Sequence, residues 1–167
     1  MDTTITIRKA ESTDIPAIKM LWQFYQYHQS IFDLEDVGLD GCYDIDEGYL
    51  ECVVRGEEDC IIYLVLVSNQ IAGFATVEPT EIAGKEIPEL ADIFILPKYR
   101  KQGIAKFVIQ NLMPVETNQW HVAVHLNDSL ALKFWNSLFA KLNVVRVDKV
   151  DPPETEGYHE FVITNAQ

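Results

Sequence analysis

The chain has 167 residues, with 13 Lys plus Arg against 26 Asp plus Glu, a formal net charge of -13 and a pI near 4.6. Binding to DNA, RNA or an anionic membrane depends on cations that release counterions, so this balance argues against any polyanion as the main partner. The length suits a single domain, residues 1–167, that buries roughly 70% of the surface its unfolded form exposes.

The opening MDTTITIRKA lacks a basic region leading into an apolar stretch. Instead, residues 3–8 alternate Ile with polar side chains, which predicts a first strand. Thr13 is expected to cap the next helix, with Asp14 in its first turn and Pro16 tolerated where N–H groups are free. Ile15, Ile18, Leu21, Trp22 and Tyr25 then recur at helical spacing, as core or as the wall of a pocket. Residues 33–59 carry eleven acids against the single base Arg55. They read either as a solvated loop with a short helix over 46–54, or as a rim that concentrates ammonium substrates.

Residues 60–67 and 71–77, around a turn at 68–70, predict a hairpin of buried strands. Gly73 marks a bulge or a close backbone approach within it. Residues 79–88 read as a loop and 90–96 as a fourth strand. The helix traced by Ile104, Phe107, Val108, Ile109, Leu112 and Met113 is expected to stop at Pro114. Residues 120–126 predict a strand, followed by a helix along Leu130, Phe134, Trp135 and Leu138 that Asn127 or Asp128 caps. Strands over 143–150 and 158–164 flank the turn Asp151-Pro152-Pro153.

The longest apolar run, residues 61–67, is far short of the ~20 residues a bilayer span needs, so a soluble, cytoplasmic protein is expected. Cys42, Cys52 and Cys60 form no C-x-x-C pair, and their odd number suits a reducing compartment. No metal is expected. The four histidines are scattered, and His121 and His125 would lie about 13 Å apart on one strand face.

The most informative segment is ELADIFILPKYRKQGIAKFVIQNLM, a buried strand, a basic turn and a helix that opens on Arg100, Gly103 and Ala105 in the spacing R-x-x-G-x-A. Residues 96–106 hold four of the 13 basic residues and no acid. A helix start aims unpaired N–H groups and the positive dipole end at one spot, where an anion can bind. Small residues at 103 and 105 let phosphate oxygens approach the backbone, while Arg100, Lys101 and Lys106 add charge. A pyrophosphate fits this pattern.

The order of elements, R-x-x-G-x-A after the fourth strand and F-W (Phe134, Trp135) in the helix after the fifth resemble the GCN5-related N-acetyltransferase (GNAT) superfamily over essentially the whole chain. MLWQFYQYHQSIFDLE and WHVAVHLNDSLALKFW are similar to a bacterial branch of predicted acetyltransferases. The resemblance implies a mixed α/β fold: a twisted, mostly antiparallel sheet of six to seven strands, flanked by about four helices and splayed between strands four and five. It implies acetyl-CoA as co-substrate in that opening. The pantetheine arm would pair with the backbone at Phe94 and Ile95, and the pyrophosphate would bind the turn of Arg100, Lys101, Gln102, Gly103, Ile104, Ala105 and Lys106. Trp22, Tyr25, Tyr43 and Tyr49, with the acidic stretch, would belong to the acceptor side.

Transfer to an amine requires its free base, only about one part in 10³ at pH 7 for a pKa near 10.4. Asp92, in an otherwise apolar strand, is the first candidate to take the amine proton, and Glu89 at the strand entrance the second. A strand N–H near Ile95 would serve the developing oxyanion. Many superfamily members carry a Tyr where Trp135 stands, and indole cannot protonate a leaving thiolate. Trp135 packs either against the CoA arm or in the core. Asp128 occupies a position usually held by Asn, so either the loop shifts by one residue or Asp128 faces away. The expected activity is acetyl transfer to a small-molecule amine or basic peptide; the alternative is a non-catalytic CoA-binding regulatory module. An exposed C-terminal edge strand is compatible with a homodimer without requiring one.

Overall fold

The computed structural model describes residues 4–113 and 118–166. The expected strand start at Thr3 and helix stop at Pro114 lie outside them. Among the described residues the elements are β1 (Ile5–Lys9), α1 (Ile15–Asp33), α2 (Glu47–Arg55), β2 (Ile61–Val67), β3 (Gln70–Ile82), β4 (Lys85–Ile95), α3 (Ile104–Leu112), β5 (Gln119–His125), α4 (Ser129–Phe139), β6 (Val144–Lys149) and β7 (Tyr158–Asn165). The strands pair in the order β1-β2-β3-β4-β5-β7-β6. Pairing is parallel at β4–β5 and antiparallel at β1–β2, β5–β7 and β6–β7. This is the mixed, mostly antiparallel arrangement that the resemblance implies.

Two sequence expectations are corrected. Residues 79–88 do not form a loop, because β3 runs to Ile82 and β4 starts at Lys85. Ala83 and Gly84 join them with φ of 51° and 74°, the paired left-handed conformation whose twist matches that of antiparallel strands. Pro79 and Pro88 looked like breakers, yet proline is compatible with a strand wherever no ladder N–H is required. Thr13 is not a helix cap either. It lies in a 3₁₀ turn, Ser12–Asp14, and Asp14 takes the position before α1. The Asp14 carboxylate accepts from Arg8 at 2.6 and 2.9 Å and from the Glu11 N–H at 2.8 Å, tying the end of β1 to the start of α1.

The chain forms two compact units. One contains the described residues up to Thr76 with Asp92–Gln102; the other contains Val77–Ala91 with the described residues from Gly103 onward. In the first, Ile18 and Leu21 of α1 and Leu50 and Val53 of α2 pack with Ile62, Leu64, Phe74 and Phe94. Gly73 is required here by close approach, since a Cβ built on it would lie 2.0 Å from the carbonyl oxygen of Phe94. In the second unit, Trp135 of α4 stands 6.2 Å from Trp120 of β5, and Phe139 stands 5.3 Å from Phe161 of β7. Glu160, buried in β7, accepts from the N–H groups of Glu154 and Thr155 at 2.7 and 3.1 Å, which pins the turn before it.

Gly73→Ala should destabilise the protein by ~2–3 kcal/mol, the usual scale of overpacking. In a thermal melt this corresponds to a midpoint lowered by roughly 5–10 °C, and an unchanged midpoint would refute the close approach. The hydrogen bonds from Arg8 hold the Asp14 carboxyl below its ordinary pKa. Its contribution is therefore complete above the unfolded pKa and is lost as pH falls through the lower folded one. Wild type minus Asp14→Asn stability, measured by urea denaturation, should be constant near neutrality and shrink below about pH 4.

Candidate active site

The turn that follows β4 is built by local geometry. Beyond Ile95, a 3₁₀ turn (Pro97–Tyr99) buries the Tyr99 ring, and the Arg100 N–H donates to the Pro97 carbonyl at 3.3 Å. Lys101 then adopts φ 60° and Gly103 φ 79°, both left-handed. Gly103 occupies the position before α3 without a side-chain cap. The first helical bond runs from the Phe107 N–H to the Gly103 carbonyl at 3.0 Å. The N–H groups of the first turn have no carbonyl partner within such a helix, and they share its positive dipole end.

A Cβ at Gly103 would meet no protein atom within 4 Å. Its left-handed φ therefore favours glycine, whereas crowding by the protein does not. Arg100, Lys101, Gln102 and Gly103 are exposed, while Ile104 is buried and anchors the helix. Arg100 Nε donates to the Ile95 carbonyl at 2.7 Å, and its guanidinium lies 5.5 Å from the centroid of the Phe94 ring. The arginine is thereby folded back over the end of β4, with its charge kept at the turn. Its bond to Ile95 occupies one of the backbone groups that the resemblance assigned to the pantetheine arm.

The two carboxylates of β4 have different surroundings. Asp92 Oδ2 accepts from the hydroxyl of Thr76, a buried neighbour on β3, at 2.7 Å. Glu89 Oε1 lies 3.3 Å from Nδ1 of His121, its register partner on β5.

The expected acceptor residues fall into three settings. Trp22 stacks on Phe74 at 4.9 Å and Tyr25 meets Phe94 at 5.7 Å, so both rings pack against the core of their unit. Tyr43, by contrast, lines a cavity of about 450 Å³ with Gln23, Asp36, Asp40, Asp44 and Glu47. Gln23 escaped the sequence reading. Its amide brackets Tyr43, donating to the carbonyl at 3.0 Å and accepting from the N–H at 2.8 Å, and so ties the acidic loop to α1. A lone Gln in an apolar helix gives no sequence signal for such a role. Tyr49 is outside the cavity, on the exposed side of α2, where Asp46 caps its N–H at 2.8 Å.

Lys19 bridges Glu47 and Glu51 at 2.7 and 2.8 Å. Those hydrogen bonds raise the lysine pKa and lower that of Glu51. Part of the acidic charge near the cavity is therefore balanced within the chain. Among the described residues, no group of three or more His, Cys, Asp or Glu could hold a metal ion, and no helix is long and apolar enough to cross a membrane.

Trp135 is only 4% exposed and lies between Trp120, Phe134 and Phe139, so packing in the core accounts for its ring. Asp128 Oδ1 accepts from the Ala131 N–H at 2.8 Å. Its unexpected charge is thus used as the cap of α4, where the helix dipole favours an anion.

The profile of the acetyltransferase (GNAT) family matches residues 19–138. No curated protein matches the chain. Among solved structures, the chain is similar to PaiA N-acetyltransferase from Thermoplasma acidophilum in complex with coenzyme A, with TM-score 0.66 and 14% identity over 96% of this chain and 99% of that one. It is similar to Arabidopsis thaliana NAA60 in complex with a bisubstrate analogue, with TM-score 0.58 and 16% identity over 96% of each chain. An aminoglycoside acetyltransferase from an uncultured soil metagenomic sample, in complex with sisomicin, matches with TM-score 0.56 and 19% identity over 80% of this chain and 86% of that one. These likenesses establish the shared fold, and the profile match, covering 120 residues between positions 19 and 138, establishes the lineage: the chain belongs to the GNAT family of acetyltransferases.

Proposed function

We propose that the protein, acting as a single domain over residues 1–167, is an acetyl-CoA-dependent N-acetyltransferase whose acceptor is a small cationic amine. The observation that carries this reading is the uncapped, left-handed Gly103 at the start of α3, flanked by Arg100, Lys101 and Lys106. Such a helix start suits a pyrophosphate, with the first-turn amides as donors and the cations as counter-charge. The coenzyme A complex of the PaiA relative supports the same ligand here. Bound acetyl-CoA would supply an activated thioester carbonyl.

On the acceptor side, the cavity of Tyr43 and Gln23 with Asp36, Asp40, Asp44 and Glu47 favours an ammonium group. The sisomicin complex of the metagenomic relative supports a polycationic small molecule. Attack needs the neutral amine, so a carboxylate of β4, Asp92 or Glu89, takes the proton directly or through water. The amine nitrogen bonds to the carbonyl carbon, a β4 N–H near Ile95 steadies the oxyanion, and the thiolate departs with the electron pair of the broken C–S bond. A thiol pKa near 8.5 makes that departure feasible without a protein acid.

A second reading, a coenzyme A-binding module without turnover, draws on one observation. The indole of Trp135 is buried and has no hydroxyl to offer a leaving thiolate. Free-thiol release from acetyl-CoA with polyamines, aminoglycosides, amino acids and basic peptides separates the two readings. Release above the hydrolysis background with a cationic amine is expected, and its absence across the panel would favour the module.

Gly103→Val should weaken acetyl-CoA binding by at least about 10-fold in calorimetry, because a β-branched residue resists the left-handed φ and its side chain would cover the first-turn amides. Unchanged affinity would remove the turn from the site. Asp92→Asn and Glu89→Gln should leave that affinity nearly intact, and the variant of the true proton acceptor should lower turnover by about 10²-fold or more.

A further inference from the structure

His121 is 2% exposed, and among the described residues neither of its ring nitrogens makes a hydrogen bond. A buried imidazole without partners is costly, and native proteins seldom retain one without a use. Its nearest charged neighbour is Glu89, with Nδ1 at 3.3 Å from Oε1, close in distance but misaligned for a hydrogen bond. The two residues face each other as register partners across the parallel β4–β5 pair. Backbone pairing therefore holds them together.

We infer that His121 is a positioning residue for Glu89, and that Glu89 is the carboxylate that receives the amine proton. This rests on the acetyl-transfer reading above. With its proton on Nδ1, the imidazole donates to Oε1, holds the carboxylate in one rotamer and leaves the other oxygen for the acceptor amine or an intervening water. In the step, the N–H proton moves to the free oxygen of Glu89 as the C–N bond forms, and the electron pair of the C–S bond leaves on sulfur. His121 keeps its proton and gains none. Asp92, the other β4 carboxylate, accepts from the Thr76 hydroxyl.

Apart from this chemistry, a buried His beside a Glu would serve only to fill and tie the core. Two near-isosteric replacements tell the roles apart. His121→Asn places an amide donor near the position of Nδ1, whereas His121→Gln places it near that of Nε2. We expect His121→Asn to keep kcat within about three-fold of wild type and His121→Gln to lose about 10-fold or more, with KM for acetyl-CoA unchanged in both. Combining His121→Gln with Glu89→Gln should lower kcat no further than Glu89→Gln alone, as for groups acting as a unit.

Equal turnover of the Asn and Gln variants, or additive losses in the double variant, would overturn the inference while leaving acetyl transfer intact. Full turnover by Glu89→Gln would overturn it too and return the proton to Asp92. Absence of turnover in the wild type, with acetyl-CoA binding retained, would overturn both this inference and the catalytic reading. Thermal melts and acetyl-CoA calorimetry on each variant identify any that fails to fold. If His121→Gln is lost in that way, Glu89→Gln against His121→Asn supplies the contrast, with loss expected only in the first and loss in both overturning the proposal.

Discussion

The end of β4 depends on how closely the backbone of β3 can approach it. At Gly73 no side chain fits, because the Phe94 carbonyl occupies the space a Cβ would need. That contact, with the Leu96 N–H donating to the Ala72 carbonyl at 2.8 Å, holds the last residues of β4. Arg100 then reaches back to the Ile95 carbonyl, so the basic turn is attached to a strand end that cannot drift. A weakly held turn would pay an ordering cost on binding an anion that this one has already met in folding.

The electrostatics of the chain are divided in the same purposeful way. Four of the 13 cations stand on a short segment without acids, residues 96–106, whereas carboxylates gather in the loop between α1 and α2. Lys19 balances two of them, which limits repulsion inside the loop. The remaining acids make the field around the loop negative, in the same sense as the net charge of the chain.

The two β4 carboxylates illustrate how chemistry depends on neighbours that lie far away in sequence. Asp92 stands out because its strand is otherwise apolar, and the structure gives it the Thr76 hydroxyl. Glu89 looks like an ordinary residue at a strand entrance until the β4–β5 register sets His121 opposite it. Nothing in the spacing of 89 and 121 announces that pairing, since a parallel crossover can take many registers and only packing selects one.

Periodicity revealed most elements because it reflects burial along a single strand or helix, and the basic turn with its one glycine was legible because its requirements are local: a left-handed residue, a small neighbour and a helix start. The cap of α4 was readable for the same reason as far as the pair Asn127 and Asp128, of which Asp128 makes the bond. The β3–β4 hairpin was not, since two prolines mimicked a loop and the Ala83-Gly84 turn is a weak signal without an Asn or Asp. Trp135 could be read as core or cofactor wall, and its burial among three aromatic rings is set by packing that the helical period does not show. The cavity bracketed by Gln23 and the contact of His121 with Glu89 were likewise decided by tertiary structure, because each joins segments whose separation along the chain carries no information about their distance in space.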